Sequence, residues 1–123
     1  MLLDTSAWIE FFIGSDRGKR VKIVLDLAEC YTSIVTLAEV VNWSLKEKRD
    51  ARSLVNMISQ LSTVIKVDED IAAVAGQLNF ERKKANKKWG MLDSFILATG
   101  MIYDLAILAK DPDYKDIPNV EIL

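Results

Sequence analysis

The chain begins with Met1-Leu2-Leu3-Asp4-Thr5-Ser6, a very short apolar run that ends in a carboxylate. The run shows no amphipathic alternation, which is typical of a strand covered on both faces, and it predicts a central strand of a parallel sheet. Thr5 and Ser6 are good N-cap residues, so a helix is expected to follow at once. In open α/β sheets ligands bind outside the carboxyl ends of the strands, which places Asp4 where a site would be built.

Strand and helix patterns alternate along the rest of the chain. Strands interleaved with helices predict a three-layer α/β/α sandwich with a mainly parallel five-stranded sheet. After the first strand, β-branched or apolar runs predict strands at 31–35, 63–67, 105–109 and 120–123. Apolar residues at helical spacing predict helices at 7–13, around 21–28, at 36–45, from the Asp50 cap to 61, from the Asp68 cap towards Gly90, and from about Asp93 to 103, with a loop at 14–18.

The composition describes one ordinary globular domain. The chain has 123 residues, half of them apolar and 28% charged, and it contains no linker, repeat or low-complexity segment, so residues 1–123 are expected to form a single domain. No apolar run approaches the roughly 18 to 20 residues that a membrane span needs, and Asp4 interrupts any signal-peptide core. We therefore expect a cytoplasmic protein without membrane contact.

The residue types that are missing restrict the chemistry. The chain has no histidine, which excludes Ser-His-Asp and Cys-His triads and the usual zinc ligands. Its one cysteine, Cys30, permits no internal disulfide, in agreement with a reducing compartment. Catalysis would have to depend on carboxylates, lysines or hydroxyls. The net charge of −2 does not by itself indicate a partner.

Four acids occupy corresponding places in the predicted fold. Asp4 follows the first strand, Glu39 and Asp93 open predicted helices, and Asp111 comes just after the fourth strand. If they converge on one edge of the sheet, four carboxylates repel one another unless a cation lies between them. Ligation by oxygen alone suits a hard ion, Mg²⁺ or Mn²⁺.

Three of these acids also have a local structural explanation. Thr36-Leu37-Ala38-Glu39 has the form of a capping box, and Asp93 suits the positive end of a helix dipole. Asp111 before Pro112 is an ordinary turn former. Asp4 lacks such an explanation, since a carboxylate that ends a buried strand has no evident capping role. Taken together, the four positions favour a functional site.

The successive motifs of the chain resemble those of the PIN domain, in particular the VapC-type toxins of toxin-antitoxin pairs. The similarity covers essentially the whole chain and implies a sheet of order 3-2-1-4-5 and a Mg²⁺-dependent ribonuclease with Asp4, Glu39 and Asp93 as its principal acids. It also implies a homodimer and a cognate antitoxin that lies across the active-site groove. The motifs are Leu3-Asp4-Thr5-Ser6, Thr36-Leu37-Ala38-Glu39-Val40, Leu92-Asp93-Ser94-Phe95-Ile96-Leu97-Ala98-Thr99 and Asp111-Pro112-Asp113-Tyr114.

The fourth motif departs from the family pattern. The family often has Thr or Ser two residues before the fourth acid, whereas this chain has Ala109. Asp113 is therefore an alternative to Asp111. We favour Asp111 because it is nearer the end of the fourth predicted strand.

Other classes of protein fit less well. A haloacid-dehalogenase-like phosphatase needs a second acid where this chain has Ser6, and Lys110 alone is a poor substitute for the pattern of a receiver domain. A non-catalytic PIN-like module that binds RNA or protein stays open as the alternative to an enzyme.

A basic run precedes Asp93. The run, Arg82 to Lys88 followed by Trp89, is a candidate for holding RNA phosphates or stacking a base. A solvated helix C-terminus explains it equally well. The same two interpretations apply to Lys46, Lys48, Arg49 and Arg52.

The first predicted helix is apolar almost all round, with Glu10 as its only charge. One face can pack on the sheet, and a contiguous apolar remainder is typical of an interaction site. We expect part of Trp8, Phe11 and Phe12 to lie at a protein interface, either the dimer or the antitoxin groove. The alternative is burial by neighbouring helices.

Overall fold

A computed structural model describes all residues, 1–123, and contains one five-stranded sheet. The strands are β1 Leu2–Leu3, β2 Tyr31–Ser33, β3 Thr63–Ile65, β4 Ile107–Ala109 and β5 Val120–Ile122. All neighbouring pairs are parallel, in the order β3-β2-β1-β4-β5. The predicted sheet order is therefore confirmed, and the sheet is wholly rather than mainly parallel.

Six helices and one 3₁₀ turn connect the strands. Most helices begin at a polar cap that the sequence supplies next to an apolar stripe, including Asp50 and Asp68 as predicted. The helices are α1 Thr5–Ile13, α2 Asp16–Leu27, α3 Ile34–Lys46, α4 Ala51–Leu61, α5 Glu69–Ala85 and α6 Met91–Tyr103, with the 3₁₀ turn at Pro112–Tyr114. No helix is long and apolar enough to cross a membrane.

The two residues of β1 face opposite sides of the sheet and are both completely buried. Leu3 packs in a cluster with residues of α1 to α4, including Trp8 and Val40. Leu2 packs in a second cluster with residues of α6, including Ile96. Burial of each of these two leucine side chains stabilises the fold by roughly 2 kcal/mol. Coverage on both faces confirms the central strand and the three-layer architecture.

Several predicted boundaries are wrong. The second strand ends at Ser33, whose side chain caps α3 by accepting from Val35 N. The capping box predicted at Thr36 and Glu39 is therefore absent, since both residues lie inside α3. Ile34 and Val35 have the composition of a strand, but the Ser33 cap starts the helix two residues earlier than predicted. The third, fourth and fifth strands are also shorter than predicted.

The loop predicted at 14–18 is largely helical. Gly14, at a left-handed φ of 74°, ends α1, and Ser15 caps α2 directly. Gly18 lies in the first turn of α2 against the Glu10 carbonyl, with no room for a Cβ atom. The glycine at this position is therefore explained by close packing of α1 and α2.

Trp8 is not available for an interface, which corrects that part of the prediction. Its ring is fully buried in the core, and its Nε1 donates to Thr32 Oγ1 at 3.1 Å. Both the sheet and neighbouring helices bury it, since it packs in one cluster with Leu3 of β1 and Val40 of α3. Phe11 and Phe12 are only half-buried and pack against Trp8, so a partner contact by these two rings stays a prediction.

Candidate active site

Asp4 lies at the carboxyl end of β1, where its backbone N–H donates to Leu108 O. Its side chain is only 4% exposed. Oδ2 accepts hydrogen bonds from Ser6 Oγ at 2.7 Å and from Ser6 N at 3.4 Å, which makes Asp4 the N-cap of α1. The expectation that Asp4 has no capping role is therefore wrong. Oδ1 accepts no hydrogen bond and is not sealed from solvent. One oxygen therefore holds the helix and the other is free for a ligand.

Glu39 approaches the same edge from α3. Its Oε1 accepts a 2.6 Å hydrogen bond from Thr5 Oγ1, and Thr5 directly follows Asp4. Its Oε2 accepts none, like Oδ1 of Asp4. The contact explains why Glu39 lies in the second turn of α3 rather than at the helix start.

Asp93 belongs to the first turn of α6, and both of its oxygens are occupied. Oδ2 accepts from Gly90 N at 3.2 Å, which is the local capping role that the sequence allowed. Oδ1 accepts a long bond of 3.3 Å from the Tyr114 hydroxyl. The Tyr114 ring is buried and packs edge-on against Trp89. Tyr114 was missed by the sequence argument, although it belongs to the fourth motif.

The two candidates for the fourth acid are both half-buried. Asp111 caps the 3₁₀ turn by accepting from Asp113 N at 2.9 Å. The Asp113 carbonyl accepts from the Arg82 guanidinium. Both carboxylates help to raise the pKa of Asp93, Asp111 more than Asp113. The choice of Asp111 stays a prediction.

A hydroxyl from another element lies beside the fourth motif. Ala109 is buried and offers no hydroxyl. Ser6 Oγ instead accepts from Lys110 N at 2.9 Å while it donates to Asp4. This single side chain joins the end of β4 to the carboxylate at the end of β1. Its N-cap character concealed this role in the sequence.

The three principal acids share one electrostatic environment. Burial raises the pKa of Asp4 to about 6, with further contributions from Asp93 and Glu39. Burial also raises the pKa of Glu39 and of Asp93, and the Asp93 charge adds to the effect on Glu39. None of these acids, nor Asp111 or Asp113, forms an ion pair. The edge therefore concentrates negative charge that no lysine or arginine neutralises.

These donors fit a hard divalent cation. They are carboxylate oxygens from three different elements, and the chain offers no histidine. No three acid side chains lie close enough to enclose an ion by themselves. Mg²⁺ commonly keeps several waters and uses one or two carboxylates together with substrate phosphates, so a complete protein cage is not needed. The free oxygens of Asp4 and Glu39 are suitable donors.

The basic run before Asp93 is only partly available to a ligand. Trp89 is almost completely buried and donates to Ser94 Oγ at 2.7 Å, so the expectation that it could stack a base is wrong. Arg82 covers the Trp89 ring at 4.2 Å. Lys87 and Lys88 are exposed. In the other basic segment, Arg49 binds the Phe12 carbonyl at 3.2 Å.

Comparison with known proteins identifies the family of the chain. The PIN domain family model matches residues 1–120. Over 95 residues the chain is 30% identical to ribonuclease VapC4 of Mycobacterium tuberculosis. The aligned region covers 74% of this chain and 73% of that protein. The fold is that of a known class of α/β domain, and the match over nearly the whole chain shows that the chain belongs to the PIN domain family. Within that family its curated relative is of the VapC type, as the four motifs predict.

Two solved structures share the fold. A toxin-antitoxin complex from Klebsiella pneumoniae is similar with a TM-score of 0.77 and 26% identity, covering 98% of this chain and 94% of that one. VapC20 of Mycobacterium tuberculosis, described as a sarcin-ricin loop cleaving toxin, gives a TM-score of 0.81 at 20% identity, covering 98% and 97%. The second likeness concerns the fold alone.

Proposed function

We propose that this protein is a metal-dependent ribonuclease that hydrolyses RNA phosphodiester bonds with carboxylate-bound Mg²⁺, for which Mn²⁺ can substitute. The observation that carries the proposal is the group of buried Asp4 with half-buried Glu39 and Asp93, whose pKa values are all raised by burial and which form no ion pair with a basic side chain. Such an arrangement is unfavourable for the fold alone, whereas a bound cation would stabilise it. The relative named ribonuclease VapC4 supports RNA as the substrate.

Each acid has a distinct role in this proposal. Asp4 and Asp93 would hold the ion, and Glu39 would join them or orient a second ion or its water, with Asp111 as the fourth acid. Bound Mg²⁺ would lower the pKa of the attacking water and neutralise charge on the phosphate, which requires no histidine.

Neighbouring hydroxyls position the acids. Ser6 fixes one oxygen of Asp4, and Thr5 fixes one oxygen of Glu39. Each hydroxyl thereby leaves the second oxygen of its carboxylate unbonded. Burial of Asp4 excludes much of the competing solvent, which strengthens electrostatic interactions within the site.

The biological setting proposed is that of a cytoplasmic toxin held by a cognate antitoxin, in a homodimer. The support is the similarity to the toxin-antitoxin complex from Klebsiella pneumoniae. The half-buried rings of Phe11 and Phe12 offer apolar area for one of these contacts. A small reading frame beside the gene, whose product co-purifies with this protein and blocks cleavage, is the expected partner.

RNA cleavage by purified protein tests the proposal. Cleavage should occur with Mg²⁺, stop in excess EDTA and return when Mg²⁺ is restored. Asp4→Asn should lower the rate by about a hundredfold or more. The matched control is Asp104→Asn, which removes an exposed acid at the opposite end of β4 and keeps a residue type that tolerates its left-handed φ of 53°.

Two results would contradict the proposal. Cleavage that persists in excess EDTA, or in the Asp4→Asn protein, would exclude this mechanism. Tight RNA binding without cleavage under any metal condition would favour the alternative of a non-catalytic PIN-like binding module.

A further inference from the structure

Two clefts open on either side of Asp4. Consecutive residues line them, Thr5 in one and Ser6 in the other. The first, which we name the apolar cleft, has a volume of about 300 Å³ and is lined by Thr5, Ile9, Ala38, Glu39, Asn42 and Leu92. The second, which we name the basic cleft, has a volume of about 360 Å³ and is lined by Ser6, Arg17, Lys110, Asp111 and Pro112.

The basic cleft contains two cations, and one of them, Arg17, forms no ion pair. Lys110 Nζ lies 2.8 Å from Glu10 Oε1, and the Glu10 side chain is only 7% exposed, so this lysine is fixed and paired. Arg17 is exposed, forms no ion pair, and makes a single long contact of 3.5 Å to the Leu123 carbonyl. A guanidinium with free donors matches the geometry of a phosphate group. The chemistry of this cleft therefore suits an RNA backbone phosphate.

The position of Arg17 is set by the packing of α1 and α2. Ser15 caps α2 and also donates to Glu10 Oε2 at 2.8 Å. Gly18 lies directly on the Glu10 carbonyl. These contacts on both sides of Arg17 hold its backbone against α1, the helix that Asp4 caps.

The apolar cleft has different chemistry. Ile9, Ala38 and Leu92 give it apolar walls, and Leu92 is 42% exposed. It contains no lysine or arginine that could bind a phosphate. Exposed Asn42 offers both a donor and an acceptor. Apolar walls with one amide fit an unstacked nucleobase, which has apolar faces and a hydrogen-bonding edge.

We propose that the two clefts hold one RNA strand across Asp4. Arg17 binds a backbone phosphate in the basic cleft, and the apolar cleft accepts the base of a nucleotide on the other side of the acids, where it contributes to sequence preference. This assignment rests on the proposed ribonuclease function and identifies how the substrate would be held at that same site.

RNA binding, measured apart from cleavage, tests the phosphate assignment. Fluorescence anisotropy would follow fluorescein-labelled oligonucleotides of A, C or U on the Asp4→Asn protein between 50 and 200 mM salt. Adding Arg17→Gln should weaken binding to all three oligonucleotides by a similar factor and reduce the slope of log affinity against log salt by about 0.7. Arg20→Gln, which removes an exposed arginine of the same helix that lines neither cleft, is the matched control and should change neither.

The base assignment predicts the opposite signature. Leu92→Ala and Asn42→Ala should each change the ratio of affinities for the three oligonucleotides by about fivefold and leave the salt slope unchanged. Leu45→Ala, at an exposed leucine of α3, should leave the ratios as they are. Urea unfolding of every variant verifies that the fold is retained.

The outcomes separate this inference from the proposed function. If Arg17→Gln behaves like Arg20→Gln, or if Leu92→Ala and Asn42→Ala both keep the parent ratios, the strand assignment is wrong while the ribonuclease proposal stands. If the wild-type protein neither binds nor cleaves RNA, both are wrong.

Discussion

Replacing Asp4 with Asn should make the metal-free protein more stable at neutral pH, although the same change should abolish cleavage. Burial is the main reason that the pKa of Asp4 rises from its ordinary 3.8 to about 6. The charged form is therefore the unfavourable one in the folded protein. Asn removes the charge and keeps an oxygen that can accept the capping hydrogen bonds from Ser6.

The size of the gain follows from the pKa. A carboxyl with a folded pKa of about 6 and an unfolded pKa of 3.8 loses about 3 kcal/mol of stability at neutral pH. Its favourable contribution is fully present below pH 3.8 and is lost as the pH rises through about 6. We expect Asp4→Asn to raise the free energy of unfolding by about 1 to 3 kcal/mol at pH 7.5 and by little at pH 4.

Urea unfolding in EDTA, followed by tryptophan fluorescence, would measure the effect. Trp8 and Trp89 are buried and report on both faces of the sheet. The control is Asp68→Asn, since Asp68 also caps a helix, through a 2.9 Å bond from Ile71 N, and is exposed. Its stability should change by only a few tenths of a kcal/mol. A gain of the same size at pH 4 and pH 7.5, or no gain at pH 7.5, would refute the argument from buried charge.

Three further variants test separate contacts. Asp111→Asn should reduce RNA cleavage about tenfold more than Asp113→Asn, because Asp111 lies nearer the carboxyl end of β4; the reverse order of rates would reassign the fourth acid. Gly18→Ala should destabilise the fold by roughly 1 to 3 kcal/mol in urea unfolding, because its Cβ atom would meet the Glu10 carbonyl. Gly76→Ala, in open space on α5, should instead stabilise the fold by about 0.5 to 1 kcal/mol. Equal effects of the two changes would contradict the close packing of α1 and α2. Tyr114→Phe keeps the ring and removes the hydroxyl that donates to Asp93, so the affinity for Mn²⁺, measured by calorimetry, should fall severalfold. An unchanged affinity would exclude a role for Tyr114 in positioning Asp93.

The sheet and the position of Asp4 were predictable because their signals are local. The apolar run of β1 is too short and too uniform for an amphipathic element, and burial on both faces is the physical reason. The acids that follow strands belong to the carboxyl edge of any parallel sheet. The order of the strands came from the resemblance of four successive motifs to the PIN domain.

Features that depend on distant partners were not predictable. Glu10 is the only charged residue of α1, yet its side chain is almost completely buried, because Lys110 and Ser15 bind its carboxylate oxygens. Burial of Trp8 depends on Thr32 of β2, which accepts from its indole N–H. The start of α3 was misplaced because a single serine cap outweighed the strand-like composition of the two residues after it.

Crystals soaked in Mn²⁺ and examined by anomalous scattering would test the central claim most directly. The account predicts an anomalous peak within about 2 Å of a carboxylate oxygen of Asp4 or Asp93, close to Glu39, and no peak there in Asp4→Asn crystals. A wild-type protein that shows no peak at this edge in saturating Mn²⁺, or a peak only elsewhere on the surface, would contradict the claim that these acids form a cation site.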